Sequence, residues 1–276
     1  MGLSPGWLDL FCDLVRAGEL KPGDAILDFG ASELFCSDDP QSLNRVLSAC
    51  GAPLYSDDEL ERLAQRAYAR ILFERAGFRY EAIDYAAYPG VIRLDLNTAS
   101  LPSEHHGKYR LVSNSGTSEH ILNQWNVFQA IHEAAAPGAL MYHSVPGWGH
   151  FEHGIIEYSP KFFRALADAN GYEIERFSAW SDGTSEVLDV RRLPWVKFST
   201  SPIVEKVWLH ILLRKSSDRP FAGLNDPAHN REWRIPQSRL RFEARSPATR
   251  IVRRLLLNSL LAVRRFGERV QALTHR

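Results

Sequence analysis

Residues 22–33, PGDAILDFGASE, read as a strand running straight into a ligand loop. Pro22, Gly23 and Asp24 supply a turn. Ala25 to Phe29 is an apolar run short enough for a strand buried on both faces, and Gly30 follows where backbone must approach a ligand closely. In an open α/β sheet ligands bind beyond the carboxyl ends of the strands, so function is expected there. Working outward, residues 78–84, 91–95, 109–114, 139–145 and 172–180 read as further strands in a βα rhythm. Residues 206–214 set Val207, Leu209, Ile211 and Leu213 against Trp208, His210 and Leu212 and close the sheet as a seventh strand. The expected fold is α/β, a doubly wound, mostly parallel seven-stranded sheet with an N-terminal helix and a C-terminal basic helical extension.

Ahead of the first strand, residues 6–17 place Trp7, Leu10, Phe11, Leu14 and Val15 on one helical face, a helix also suited to covering a substrate pocket. After Gly30, residues 31–55 read as an insertion in the ligand loop with one short helix over 41–49. Ser56 and Glu59 form a capping box opening a helix with apolar residues Leu60, Leu63, Ala64, Ala67, Ile71 and Leu72, stopped by Gly77. A helix over 120–135 is expected before Pro137 and Gly138. Another is capped by Ser159, with Pro160 at its first position and Gly171 past its end. The main domain is thus expected over 1–215. Residues 216–247, rich in Pro, Asn, Ser and Arg, read as a linker or surface strap, and 248–276 as an amphipathic helix with arginines around an apolar stripe. That helix suits self-association, packing on the domain, or contact with an anionic membrane surface.

The 276 residues, 45% hydrophobic and 24% charged, suffice for one sizeable core plus decoration. Lys plus Arg equals Asp plus Glu at 33 each, which argues against nucleic-acid binding through net charge. Cys12, Cys36 and Cys50 are too few and too irregularly placed for a disulfide framework or a four-ligand zinc site, and suit a reducing compartment. Without a signal segment or a run approaching the ~18 apolar residues of a spanning helix, the expected location is cytoplasmic.

ILDFGASE, AIDY, RLDLNTASLP, YRLVSNSGTSEHI and, after a helix, APGALMYHSVP together resemble the class I methyltransferases that use S-adenosylmethionine, over about residues 22–215. The resemblance implies methyl transfer from S-adenosylmethionine to a small molecule. It implies a cofactor site of Asp28, Gly30, Ala31, Asp84, Asp95, Leu96, Asn114 and Ser115. In that reading Asp84 holds the ribose hydroxyls and Asp95 accepts from the adenine amino group. Leu96 packs on the adenine ring, while Asn114 and Ser115 line the methionine end. Ala31, Ser32 and Glu33 stand where the family commonly has further glycines, and Asp84 lies farther downstream than one helix would place it. Alanine and serine are still small enough for close backbone approach. The missing glycines also argue against a nicotinamide dehydrogenase.

Methyl transfer to a hydroxyl requires that its proton be removed, a task suited to histidine near neutral pH. The stretch MYHSVPGWGHFEHG after the fifth strand makes His150 and His153 the first choices as catalytic base, with His120 next. A metal site from His150, Glu152 and His153 lacks a recognised ligand pattern, and none is expected. Trp125, Trp148, Tyr158 and Trp180 are candidates for an aromatic pocket wall. The alternative is a catalytically silent scaffold of the same fold, acting through its C-terminal helix on a partner subunit or membrane.

Overall fold

The apolar run of the first strand is buried throughout and forms β2 (Ala25–Phe29) of a computed structural model that describes residues 2–88, 90–181, 188–189 and 206–224. Before it come β1 (Gly2–Leu3) and α1 (Pro5–Arg16). Ser4 caps α1 by accepting from the Trp7 N–H, and Pro5 takes the first helical position, where its missing N–H costs nothing. After β2 follow β3 (Glu33–Phe35), α2 (Gln41–Ala49), α3 (Asp57–Leu63), β4 (Gln65–Tyr68) and α4 (Ala69–Arg75). Then come β5 (Arg79–Asp84), β6 (Val91–Arg93), β7 (Tyr109–Ser115), α5 (Gln124–Ala134) and β8 (Ala135–Trp148). The described chain continues through α6 (Pro160–Asn170), β9 (Glu173–Ser181), β10 (Leu188–Asp189) and β11 (Val207–Arg214).

The main sheet has the order β10-β9-β11-β8-β7-β2-β5-β6. Strands β6, β5, β2, β7 and β8 are parallel neighbours, whereas β11 runs antiparallel to both β8 and β9. Leaving aside the two-residue edge β10, this is the seven-stranded sheet of the class I methyltransferase fold, with its last strand inserted in reverse between the fifth and sixth. Alternate side chains leave each strand on opposite faces. One face packs on α5 and α6 through Phe128, Phe163, Val112 and Phe177. The other packs on α1, α2 and α4 through Phe11, Phe73, Leu111 and Leu140.

The helix expected from Ser56 to Gly77 is not continuous. Its capping box is present and Gly77 has φ 89°, but residues 65–68 leave the helix as β4, with Arg66 at φ 72°. β4 pairs antiparallel with β3, which pairs in parallel with β1, in a separate three-stranded sheet. The apolar period is met by two short helices that bury Leu60, Ala64 and Leu72 in one core, while Ile71 on the expected stripe is exposed. The helix expected from about His120 starts at Gln124, capped by Asn123, and residues Ser118–His120 form a single 3-10 turn. Strand β8 begins at Ala135, directly after α5, rather than past Gly138.

Of the expected strap, residues 216–224 pass over α5 and α6. The Ala222 N–H donates to Asn170, the Asn170 amide donates back to the Ala222 carbonyl, and Phe221 packs on Trp125. The chain divides into two units, Met1–Pro227 and Ala228–Arg276, and the C-terminal helix expected in the second lies outside the described residues. Among the described residues no helix is long and apolar enough to cross a membrane. The three cysteines are free, Cys12 and Cys36 buried and Cys50 half-buried.

Candidate functional site

Gly30 ends β2 at φ 93°, a conformation that favours glycine, and donates its N–H to the Ile83 carbonyl at 2.7 Å. The next residue is fixed by Asp84 at the carboxyl end of β5, whose Oδ2 accepts the Ala31 N–H at 3.0 Å while Oδ1 accepts that of Ala86. Asp84 and the glycine loop, far apart in sequence, are thereby joined. No helix begins directly after the loop, in keeping with the insertion expected there, because Glu33 to Phe35 is drawn into the small sheet and the next helix is α2. The helix leading back to β5 is α4, whose Ala69 N–H donates to the Ser32 carbonyl at 2.9 Å, so the long segment between these two residues lies spliced into one crossover.

Asp28 is wholly buried. Its carboxylate accepts from Ser113 Oγ at 2.7 Å, Tyr80 Oη at 2.6 Å and the Ser32 N–H at 3.2 Å, tying β2 to β7, β5 and the loop. Burial pushes its carboxyl up to about 6, against the opposing hydrogen bonds from Ser113, Ser32 and Tyr80. Asp95, two residues beyond β6, accepts from the Asn97 N–H and Thr98 Oγ1 in a local turn, and Leu96 lies in the core. Asn114 and Ser115 leave β7 on opposite faces. The Asn114 amide donates to Ser118 Oγ at 2.9 Å and lies 3.2 Å from His143 Nδ1, on the α5 and α6 side. Ser115 is buried on the other side, and its Oγ makes no hydrogen bond among the described residues.

A cavity of about 680 Å³ lies on the Ser115 side. Its walls are Trp7 and Leu10 of α1, Ser115 and Gly116 at the end of β7, Tyr142 and Ser144 of β8, Arg176, Ser178 and Trp180 of β9, and Trp208, His210 and Leu212 of β11. The N-terminal helix thus covers a pocket. Of the four aromatic residues expected in such a wall only Trp180 is there. Trp125 packs on Phe221, Trp148 is exposed beside Phe151, and Tyr158 is buried against Ser118. Trp7, Tyr142 and Trp208 come from elements whose position depends on strand order. Tyr142 Oη and His210 Nδ1 lie 2.8 Å apart, and burial depresses the His210 imidazole to about 4.

Of the three expected catalytic histidines only His153 lines this cavity. His150 is buried, its ring 4.7 Å from that of Trp208, with its backbone N–H donated to Glu157. His120 sits in the turn after β7, its ring 5.4 Å from His153. Behind both is Glu119, which the sequence did not single out. It has no exposed side-chain surface, its two oxygens make no hydrogen bond among the described residues, and burial pushes its carboxyl up to about 7. His153 Nε2 lies 3.3 Å and His120 Nε2 4.0 Å from Glu119 Oε1.

No family model and no curated protein matches the sequence. Solved structures do. One is the 1,6-didemethyltoxoflavin-N1-methyltransferase of Burkholderia thailandensis with bound 1,6-didemethyltoxoflavin and S-adenosylhomocysteine, at 12% identity and a TM-score of 0.42, over 76% of this chain and 78% of that one. Another is an S-adenosylmethionine-dependent methyltransferase of Methanosarcina mazei, at 12% identity and 0.38, over 73% and 96%. A third is the 16S rRNA (adenine(1408)-N(1))-methyltransferase of Catenulisporales acidiphilia, at 14% identity and 0.37, over 79% and 96%. The strand order and the reversed β11 are themselves what give the chain the class I methyltransferase fold.

Proposed function

We propose that the protein transfers a methyl group from S-adenosylmethionine to a hydroxyl of a small molecule held in the cavity. The observation that carries this reading is that the cavity reaches Ser115 and Gly116, at the carboxyl end of β7 next to the loop that leaves β2 at Gly30. A cofactor beyond the ends of β2, β5 and β7 would present its methyl group to such a space. The residues fit the group. Gly30 holds a conformation open to close approach, Ala31 is small, and Ser115 Oγ is a buried polar atom in need of a partner. Asp84 has lone pairs beyond the two engaged by the loop and can accept ribose hydroxyls as well. Asp28, already bonded on both oxygens, serves the site by holding the loop.

Bound S-adenosylmethionine supplies an electrophilic methyl group on a good leaving group. The chain's part is to position the acceptor and take its proton. Trp7, Trp180, Trp208 and Tyr142 give the cavity flat apolar walls suited to a planar or sugar ring, and Arg176 adds a cation. His153 is the expected base that faces this space. Burial lowers its pKa, keeping the imidazole neutral and ready to accept near pH 7. The size of the cavity, about 680 Å³, suits a small acceptor, and the balanced charge offers no general attraction for nucleic acid.

Calorimetry with S-adenosylhomocysteine tests the reading. Wild-type protein is expected to bind, and Asp84→Ala to bind about 2 kcal/mol, or ~30-fold, more weakly. Absence of binding to wild type sinks the cofactor assignment, and unchanged affinity in the variant removes Asp84 from the site.

A further inference from the structure

Glu119 poses a problem that methyl transfer does not solve. A carboxylate without exposed surface is normally hydrogen-bonded or paired, because ionising it in a dry setting costs several kcal/mol. Here both oxygens make no hydrogen bond among the described residues, and two imidazole nitrogens stand 3.3 and 4.0 Å from Oε1. We propose that Glu119, His120 and His153 form a binding site for a divalent transition-metal ion of the zinc type.

The geometry is that of a ligand set slightly relaxed. One donor atom from each of the three residues lies within 4.8 Å of the others, and His153 Nε2 is 3.3 Å from Glu119 Oε1. Four-coordinate zinc, with bonds of about 2.0–2.1 Å, separates its ligands by roughly 3.3 Å. The His120 pair, at 4.0 Å, needs only a small side-chain movement to match. Two imidazoles and a carboxylate favour zinc, cobalt or iron over magnesium, which prefers oxygen ligands.

The backbone brings these donors together deliberately. The Glu119 carbonyl accepts the N–H groups of both Ile155 and Ile156, clasping the loop after β8 to the turn after β7. Gly154 lies between them at φ 91°, and a Cβ there would stand 2.8 Å from Glu119 Cγ and 3.0 Å from its carbonyl oxygen. Only glycine permits this approach, and it is the approach that sets His153 over Glu119. The imidazoles are 47% exposed at His120 and 42% at His153, so an ion can enter and retain an open coordination position.

Metal binding does not depend on methyl transfer, but its consequence rests on that reading. His153 is both a ligand and a wall of the cavity. An ion there would lie beside the acceptor, and a hydroxyl coordinated to it would lose its proton at a lower pH than a free one. In that state His153 holds the ion, and the base role assigned above belongs to the metal-free protein.

The test uses the full chain stripped with chelator, titrated with Co²⁺ by visible absorption and with Zn²⁺ by calorimetry, and S-adenosylhomocysteine measured in parallel. One equivalent is expected to bind, with Glu119→Gln and His153→Ala each weakening affinity by more than ~100-fold at unchanged circular dichroism. Lack of stoichiometric binding, or variants that bind like wild type, overturns the proposal. The nearly isosteric Glu119→Gln and the partly exposed His153→Ala leave folding intact by different routes, so a loss in both reports the site. Metal binding without S-adenosylhomocysteine binding upholds the metal site and fails the methyl-transfer reading. The reverse result fails the metal site alone.

Discussion

The region around Asp28 and the region around Glu119 each bury a carboxylate completely and treat it in opposite ways. Asp28 receives two hydroxyls and a backbone N–H, from Ser113, Tyr80 and Ser32, and joins three adjacent pieces of chain. Glu119 receives none within the described residues, although its backbone carbonyl is doubly bonded. Burial pushes both carboxyls up, Asp28 to about 6 and Glu119 to about 7, so burial and pKa alone do not tell them apart. The difference lies in the donors. A satisfied buried acid stiffens a fold, whereas an unsatisfied one is a cost kept for something that arrives later.

The comparison predicts unequal responses to mutation. The largest is for Asp28→Ala, which leaves three buried donors without an acceptor and should cost about 4 kcal/mol in denaturant unfolding. A cost under 1 kcal/mol would mean that Asp28 is not the tie between strands. The next concerns pH. The folded pKa of Asp28 is raised from 3.8 to about 6, so the group's contribution is fully present below about pH 4 and lost as pH rises through 6. Wild type should therefore lose about 3 kcal/mol relative to Asp28→Asn between pH 4 and 7, and parallel pH curves would refute the shift.

Smaller effects sharpen the contrast. Ser113→Ala removes one of the three donors and should cost about 1 kcal/mol. Glu119→Gln in chelator removes a charge but no hydrogen bond, and its stability should stay within about 1 kcal/mol of wild type. A large loss on Glu119→Gln would place that acid in the same structural class as Asp28 and erase the distinction.

Much of the scaffold was legible in the sequence. Ala25–Phe29 and Gln41–Ala49 are found with the bounds expected, the Ser56 and Glu59 capping box is made, and Ser159, Pro160 and Gly171 bound α6. These signals are local, since a cap needs only its own turn and a buried strand only its run of apolar residues. The continuous helix over 56–77 failed where a non-local partner intervened, because β3 draws residues 65–68 into pairing and the apolar residues on either side still reach one core. The aromatic wall was misread for the same reason. Trp7, Tyr142 and Trp208 meet only because β11 is inserted beside β8 and α1 covers that face.

The histidines divide along this line too. Their density after β8 was visible, but the face each takes was not, because the loop is shaped by its clasp on the distant Glu119, which Gly154 permits but does not by itself reveal. The sequence by itself determined the strands of the main sheet, the capped helix starts at Ser56 and Ser159, the glycine turn at Gly30 and the acid at the end of β5, all set by period, capping and backbone preference within a few residues. The tertiary structure alone decided which buried acid would be satisfied, which histidine would face the cavity and what would line it. Hydrogen-bond partners and cavity walls come from neighbouring strands, and strand order is fixed by burial over the whole chain rather than by any one stretch.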